Sequence, residues 1–127
     1  MELVHTCYRI GDPARSIAFY EALGFEKRRE LPIREEAVNY FFAVPGTDGP
    51  ELELTFNFGV PAYEIGTGYG HIAVRVDGLE AVLERLRSEH GIEPERPPYR
   101  VSEQGSLICF VRDPDGYRIE LIDSSGR

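Results

Sequence analysis

Residues 5–10, His5-Thr6-Cys7-Tyr8-Arg9-Ile10, have a counterpart in the middle of the chain at residues 71–76, His71-Ile72-Ala73-Val74-Arg75-Val76. The histidine, the arginine and the closing aliphatic residue recur at an offset of 66. Further along, Gly24-Phe25 matches Gly91-Ile92, and Glu53-Leu54 matches Glu120-Leu121, both at an offset of 67. An internal repeat constrains the fold more than any local propensity, because both copies must build the same elements in the same order.

Periodicity gives those elements. Residues 4–10 alternate as a half-buried strand, with Val4, Tyr8 and Ile10 on one face and His5, Cys7 and Arg9 on the other. Asp12-Pro13 reads as a helix N-cap followed by proline at the first helical position. Ile17, Phe19, Tyr20 and Leu23 supply the apolar stripe, and Gly24 ends the helix. Strands are expected at 25–31, 39–44 and 51–58, with a turn at 45–50 between the last two. After a glycine-containing linker at 59–68 the programme restarts. A strand at 70–76 precedes a helix with the stripe Leu79, Val82, Leu83 and Leu86, closed by His90-Gly91. Three more strands are expected at 92–96, 106–112 and 117–122, the last two joined by Asp113-Pro114-Asp115-Gly116.

The expected fold class is therefore α+β, two tandem βαβββ units in one domain spanning 1–127: unit one at 1–58, the linker at 59–68 and unit two at 69–124. One unit of this size leaves a sheet face uncovered. Two together are expected to form a curved mixed sheet, helices outside and a cleft inside.

The bulk properties remove several function classes. A formal net charge of −8 disfavours a nucleic-acid surface, which needs a basic stripe. No apolar run approaches the ~20 residues of a membrane helix, and the first ten residues lack a basic stretch followed by an apolar core. Two cysteines, Cys7 and Cys109, are too few and too far apart for a disulfide framework, so reduced, buried strand residues and a cytoplasmic location are expected. Gly66-Thr67-Gly68-Tyr69-Gly70 is not followed by a helix that could hold a phosphate.

The repeat places a histidine at the start of each unit and a glutamate on its last strand. Leu52, Leu54, Phe56 and Phe58 form the apolar face of their strand, which sends Glu53, Thr55 and Asn57 to the other. Ile119 and Leu121 likewise send Glu120 away from the core. His5, Glu53, His71 and Glu120 then share the polar faces of their units. Two neutral imidazoles and two carboxylates balance a divalent cation and leave coordination positions open, as a catalytic metal requires. Such an N/O set suits Ni, Co, Mn, Fe or Zn. Arg9 and Arg75 offer the competing reading, in which each glutamate sits in a structural ion pair.

The runs LVHTCYRIGDPARSIAFYEALGF, ELELTFNFGV, YEIGTGYGHIAVRVD and FVRDPDGYRIELI resemble the glyoxalase I (lactoylglutathione lyase) family of the vicinal-oxygen-chelate superfamily, in its compact bacterial type. The resemblance covers nearly the whole chain. It implies metal ligands at His5, Glu53, His71 and Glu120, with nickel or cobalt favoured and zinc or manganese also fitting. It implies that Glu120 is the general base, with Glu53 its symmetry-related counterpart, and that Arg9 and Asn57 hold the γ-glutamyl end of glutathione. It further implies a homodimer whose sites form between subunits. The substrate would be the hemithioacetal of methylglyoxal and a thiol, isomerised through an enediolate to the S-lactoyl thioester. Relatives carry a basic residue in the loop at 100–106, where this chain has Glu103, so the thiol stays open between glutathione and another low-molecular-weight thiol. An epimerase of the same superfamily and a metal-free small-molecule-binding module are the alternatives.

Overall fold

The computed structural model describes residues 1–124 and divides into two compact units, Met1–Glu64 and Ile65–Arg127. The first unit runs β1 (His5–Arg9), α1 (Pro13–Leu23), β2 (Glu26–Ile33), β3 (Ala37–Ala43) and β4 (Glu51–Asn57). The second runs β5 (Ile72–Val76), α2 (Leu79–His90), β6 (Tyr99–Arg100), β7 (Leu107–Arg112) and β8 (Arg118–Asp123). Each is the βαβββ unit that the repeat predicts.

Each unit holds one four-stranded mixed sheet of the same topology, β1-β4-β3-β2 in the first and β5-β8-β7-β6 in the second. The first and last strands of each unit pair in parallel across the helical crossover; the remaining pairs are antiparallel. The parallel register sets Cys7 opposite Glu53 and Ala73 opposite Glu120, so repeat-equivalent positions are also register-equivalent.

The helices begin and end where local chemistry dictates. Asp12 Oδ1 accepts from the Arg15 amide, Pro13 opens α1, and Gly24 closes it in the left-handed region at φ +112°. The amides of Gly24 and Phe25 return to Glu21 and Tyr20, satisfying carbonyls left over at the helix end. In α2 the capping residue is Gly78, which has no side chain to offer, and the Leu79 amide is met instead by Asp123 Oδ1 from β8 at 3.2 Å. That bond ties the start of the helix to the strand that carries Glu120.

Apolar alternation packs one sheet face of each unit. Tyr8, Ile10, Phe42, Leu52 and Leu54 are buried with Phe19, Tyr20 and Ala22 of α1, and the Tyr20 ring meets Phe25 and Phe42. In the second unit Ile119, Leu121, Cys109 and Val111 are buried, as are Leu79, Leu83 and Leu86 of α2. At ~25 cal/mol per Å² of apolar surface removed from water, each such side chain contributes about 1.5–3 kcal/mol.

Several expectations are corrected. The segment 92–96 is not a strand, and pairing falls instead on the two-residue β6. Pro94 within the segment, and Pro97 and Pro98 directly after it, lack the amide a ladder needs, so the segment keeps one ladder-like bond, from the Glu95 amide to the Phe110 carbonyl at 2.9 Å. Val4 and Phe58, assigned to apolar faces, are exposed because they lie just beyond the strands they were expected to extend. Cys109 is buried, whereas Cys7 is exposed on the polar face of its sheet; both are free thiols. No helix among the described residues is long and apolar enough to cross a membrane.

Candidate metal centre

The polar face of the first sheet brings together His5 and Glu53. His5 opens β1, Glu53 lies at the centre of the adjacent β4, and their Nε2 and Oε2 atoms stand 3.6 Å apart. In the second unit His71, immediately before β5, faces Glu120 of β8 with Nε2 and Oε1 3.0 Å apart. The side chains are similarly disposed to water: the imidazoles are 39% and 37% exposed, the carboxylates 14% and 16%. Each glutamate is thus paired with the histidine of its own unit. Strand alternation turns it away from the core, and the parallel β1/β4 or β5/β8 neighbour delivers the imidazole.

The spacing bears on what the pairs can hold. Two donors at right angles, each about 2.1 Å from a common ion, stand about 3.0 Å apart. The His71–Glu120 separation has that value, and the His5–Glu53 separation is wider. Imidazole nitrogen with carboxylate oxygen is also a donor set that divalent first-row metals accept. Each pair supplies two of the four expected ligands, and among the described residues no three His, Cys, Asp or Glu side chains converge on one point. Each pair by itself offers two donors.

Arg9 lies on β1, on the same face as His5, and Asn57 ends β4, on the same face as Glu53. Asn57 Nδ2 donates to the Tyr63 hydroxyl at 2.9 Å, so the segment after β4 folds back and orients the amide. Between them runs a short polar chain in which Cys7 Sγ lies 3.3 Å from Thr55 Oγ1 and the Thr55 hydroxyl donates to Asn39 Oδ1 at 2.7 Å. Partial desolvation holds the Cys7 thiol above its ordinary pKa, and the neighbouring Glu53 carboxylate adds to the effect.

Sequence reasoning did not single out the phenylalanine beside each imidazole. His5 stands edge-on to Phe41 at 6.0 Å between ring centres, and His71 to Phe110 at 5.0 Å. Phe41 is the register partner of Glu53, and Phe110 of Glu120. The signal was present in the alternation: with Phe42 and Cys109 facing the core, Phe41 and Phe110 had to face the site. Tyr63 carried no periodic signal at all.

Comparison with known proteins gives the family of the chain. The profile of the Glyoxalase/Bleomycin resistance protein/Dioxygenase superfamily matches residues 2–121. The chain is 42% identical to a lactoylglutathione lyase of Salmonella typhimurium, over 98% of this chain and 93% of that enzyme. Among solved structures it is similar to glyoxalase I from Zea mays, with a TM-score of 0.87 and 37% identity over 95% of this chain. It spans only 44% of that plant chain, and so less than half its length. It is also similar to the trypanothione-dependent glyoxalase I of Leishmania major, with a TM-score of 0.80 and 36% identity over 99% of this chain and 88% of that one. A profile match over residues 2–121, a shared two-sheet fold and this level of identity place the chain in the glyoxalase family of the Glyoxalase/Bleomycin resistance protein/Dioxygenase superfamily.

Proposed function

We propose that the protein is a metal-dependent glyoxalase I, a lyase that isomerises the hemithioacetal of methylglyoxal and a thiol to the S-lactoyl thioester. The observation that carries the reading is the pair of repeat-equivalent His–Glu contacts, His5–Glu53 at 3.6 Å and His71–Glu120 at 3.0 Å, each with a donor set that a divalent ion accepts and the second also with the spacing. The names of the relatives agree: the Salmonella protein is a lactoylglutathione lyase and the maize protein a glyoxalase I.

His5, Glu53, His71 and Glu120 would hold the ion, with nickel or cobalt favoured. When bound, the metal supplies Lewis acidity that makes the substrate's C1 proton easier to remove and steadies the negative charge that follows. The rest of the chemistry belongs to side chains. A carboxylate of Glu120 takes the proton from C1, the carbon bearing sulfur and hydroxyl, and the proton returns to C2. The hydroxyl proton passes from the C1 oxygen to the C2 oxygen, so the C1 hydroxyl becomes the thioester carbonyl, the C2 carbonyl becomes the lactoyl hydroxyl, and atoms and electrons balance without a further reactant. Glu53, its counterpart in the first unit, would serve the opposite face of the substrate. Arg9 and Asn57 would bind the anionic end of the thiol, Asn57 held by Tyr63. We further propose a cytoplasmic homodimer in which one chain's half-centre is completed by its partner's.

Glutathione is the thiol the Salmonella relative's name indicates, but the Leishmania relative is described as trypanothione-dependent. In this chain Arg100 donates to the Gly105 carbonyl at 2.7 Å, which draws its guanidinium back onto its own loop. The loop thus presents little positive charge to a thiol carboxylate, which keeps a second low-molecular-weight thiol as a competing substrate.

Metal-free protein reconstituted in turn with Ni, Co, Mn and Zn tests the reading, with methylglyoxal plus glutathione as substrate and thioester absorbance as the signal. Turnover with at least one ion is expected, highest for nickel or cobalt. No thioester with any ion and either thiol class refutes the assignment. A Glu120→Gln variant should bind metal and lose turnover by at least about a hundredfold, at the lower end of the usual effect of a general base; full turnover would remove Glu120 from that role. Active protein that sediments as a monomer would overturn the shared-site proposal.

A further inference from the structure

The phenylalanine beside each histidine is the first link of a longer chain of contacts. The open face of the first sheet should leave Phe41 wet, yet its ring is only 3% exposed. The reason is Arg29, whose guanidinium lies 3.8 Å from the ring centre and donates across the sheet to Glu51 Oε1 at 3.2 Å. The second unit repeats the device. The Arg118 guanidinium lies 3.9 Å from the centre of the Phe110 ring, and Phe110 is 8% exposed. Arg118 in turn makes a two-pronged contact with Glu95, both bonds 2.9 Å long.

The two devices are related by the repeat with their charges exchanged. Glu51 and Arg118 stand at an offset of 67, and Arg29 and Glu95 at 66. In the first unit the cation comes from the outer strand and the anion from β4; in the second the cation comes from β8 and the anion from the outer segment. In both units a guanidinium covers the ring, but it comes from opposite members of the equivalent pair, which argues that the covered ring, not the position supplying the arginine, is what is required.

We propose that Phe41 with Arg29 and Glu51, and Phe110 with Arg118 and Glu95, are positioning residues that fix the two histidine rings for metal binding, and that the second stack is the more rigid. The inference rests on His5 and His71 being ligands. An imidazole on a strand end retains rotation about its outer torsion. A perpendicular ring removes that freedom, but only if the ring itself cannot tilt. The guanidinium lid, fixed by its own carboxylate, supplies that restraint. The links are closer in the second unit: 5.0 against 6.0 Å between imidazole and phenylalanine, two bonds against one to the arginine, and 3.0 against 3.6 Å from imidazole to carboxylate.

Charge and position predict opposite signs, which makes the proposal easy to break. Removing a cation near a metal site should strengthen metal binding if only charge matters. Positioning predicts weaker binding. The test is the affinity of the metal-free protein for Co²⁺ alone, by competition with a chromophoric chelator, together with the visible absorption of the cobalt-loaded protein. Arg118→Gln is expected to weaken Co²⁺ binding about tenfold, the low end for residues that orient a ligand, and to shift and broaden the cobalt bands. Arg29→Gln should cost about two- to fivefold, the equivalent of one exposed cation–π contact. Arg118→Lys, which keeps the charge and loses the fork, should recover only part of the loss. Phe110→Leu, a second variant with the apolar volume largely kept, should reproduce the spectral change. Circular dichroism confirms folding, and nitrogen NMR of the metal-free protein should show His71 passing from one tautomer to a mixture in Arg118→Gln.

Arg118→Gln binding as tightly as the parent or tighter, with unchanged bands, overturns the proposal. A larger loss in Arg29→Gln than in Arg118→Gln overturns the ranking of the two stacks. His71→Ala separates the layers: if it leaves Co²⁺ affinity unchanged, the metal assignment itself has failed, and if it abolishes binding while the stack variants do nothing, only the positioning role has failed.

Discussion

Asp113 is the residue whose removal the structure prices most directly. It is 5% exposed in the turn between β7 and β8, and one oxygen, Oδ1, accepts from the amides of Asp115 and Tyr117, both at 2.9 Å. The backbone closes the same turn: the Asp113 amide donates to the Tyr117 carbonyl at 2.9 Å, and the Gly116 amide to the Asp113 carbonyl at 3.0 Å. Asp113→Ala deletes the acceptor and strands two amides, of which Tyr117's is buried. An amide hydrogen bond to a charged group contributes roughly 1.5–3 kcal/mol and a stranded buried donor costs about 1–3 kcal/mol. Water can reach the Asp115 amide, so the losses do not simply add. The expected destabilisation is about 2–4 kcal/mol, a large share of what a domain of this size has to spare. Asp113→Asn keeps an acceptor at the same place and should lose about 1 kcal/mol. Urea unfolding of the metal-free protein at neutral pH, followed by circular dichroism, measures both. A cost below about 0.5 kcal/mol for Asp113→Ala, the scale of an ordinary surface substitution, would refute the reasoning. So would an Asp113→Asn variant no more stable than the alanine. Because the turn launches β8, Asp113→Ala should also loosen Glu120 and weaken metal binding.

Other expectations follow from single contacts. Arg9→Ala should raise KM for the thiol hemithioacetal with kcat little changed, measured by initial rates, because its proposed part is binding rather than proton transfer. Gly24→Ala places a side chain at φ +112° with no atom within 4 Å of the new carbon, so the cost is backbone strain alone, about 1–2 kcal/mol by urea unfolding. A maleimide or disulfide reagent should label Cys7 in the folded protein and reach Cys109 only after denaturation. Desolvation raises the Cys7 thiol above its ordinary value, so its thiolate fraction is small at neutral pH and labelling should keep accelerating as the pH rises through the ordinary thiol range. A Cys7 rate that is already at its plateau at pH 8 would contradict the assignment.

How much was legible in the chain depended on whether the controlling interaction was local. Asp12-Pro13 and Gly24 announced α1 because capping is decided within a few residues. The histidine and glutamate pairs were legible because a duplicated pattern states the same information twice, and alternation settles direction. The segment 92–96 misled: the repeat called for a strand there, but Pro94 inside it and Pro97-Pro98 just after it took away the donors. Phe41 and Phe110 were written into the alternation yet looked like core residues, since nothing local says that an arginine will cover an outward ring. Arg29 with Glu51, 22 positions apart, and Arg118 with Glu95, 23 apart, become neighbours only when the sheets assemble. Asp123 as the cap of α2 is of the same kind: the helix start shows a glycine where a capping side chain belongs, and the missing oxygen comes 44 positions later.

The exchanged charges around Phe41 and Phe110 limit how such a duplicated chain can change. Whole units can be traded, since each carries its own cation and anion. Single residues cannot. Copying Glu51 onto its equivalent would put two carboxylates beside each other at 118 and 95, and copying Arg118 back onto 51 would set it against Arg29. Either step opposes like charges at a ring that faces the candidate site, so the path between the two arrangements runs through an intermediate worse than both ends. Drift that would otherwise make the halves alike is blocked here one substitution at a time, and the halves stay recognisably different at the place where their chemistry is most alike.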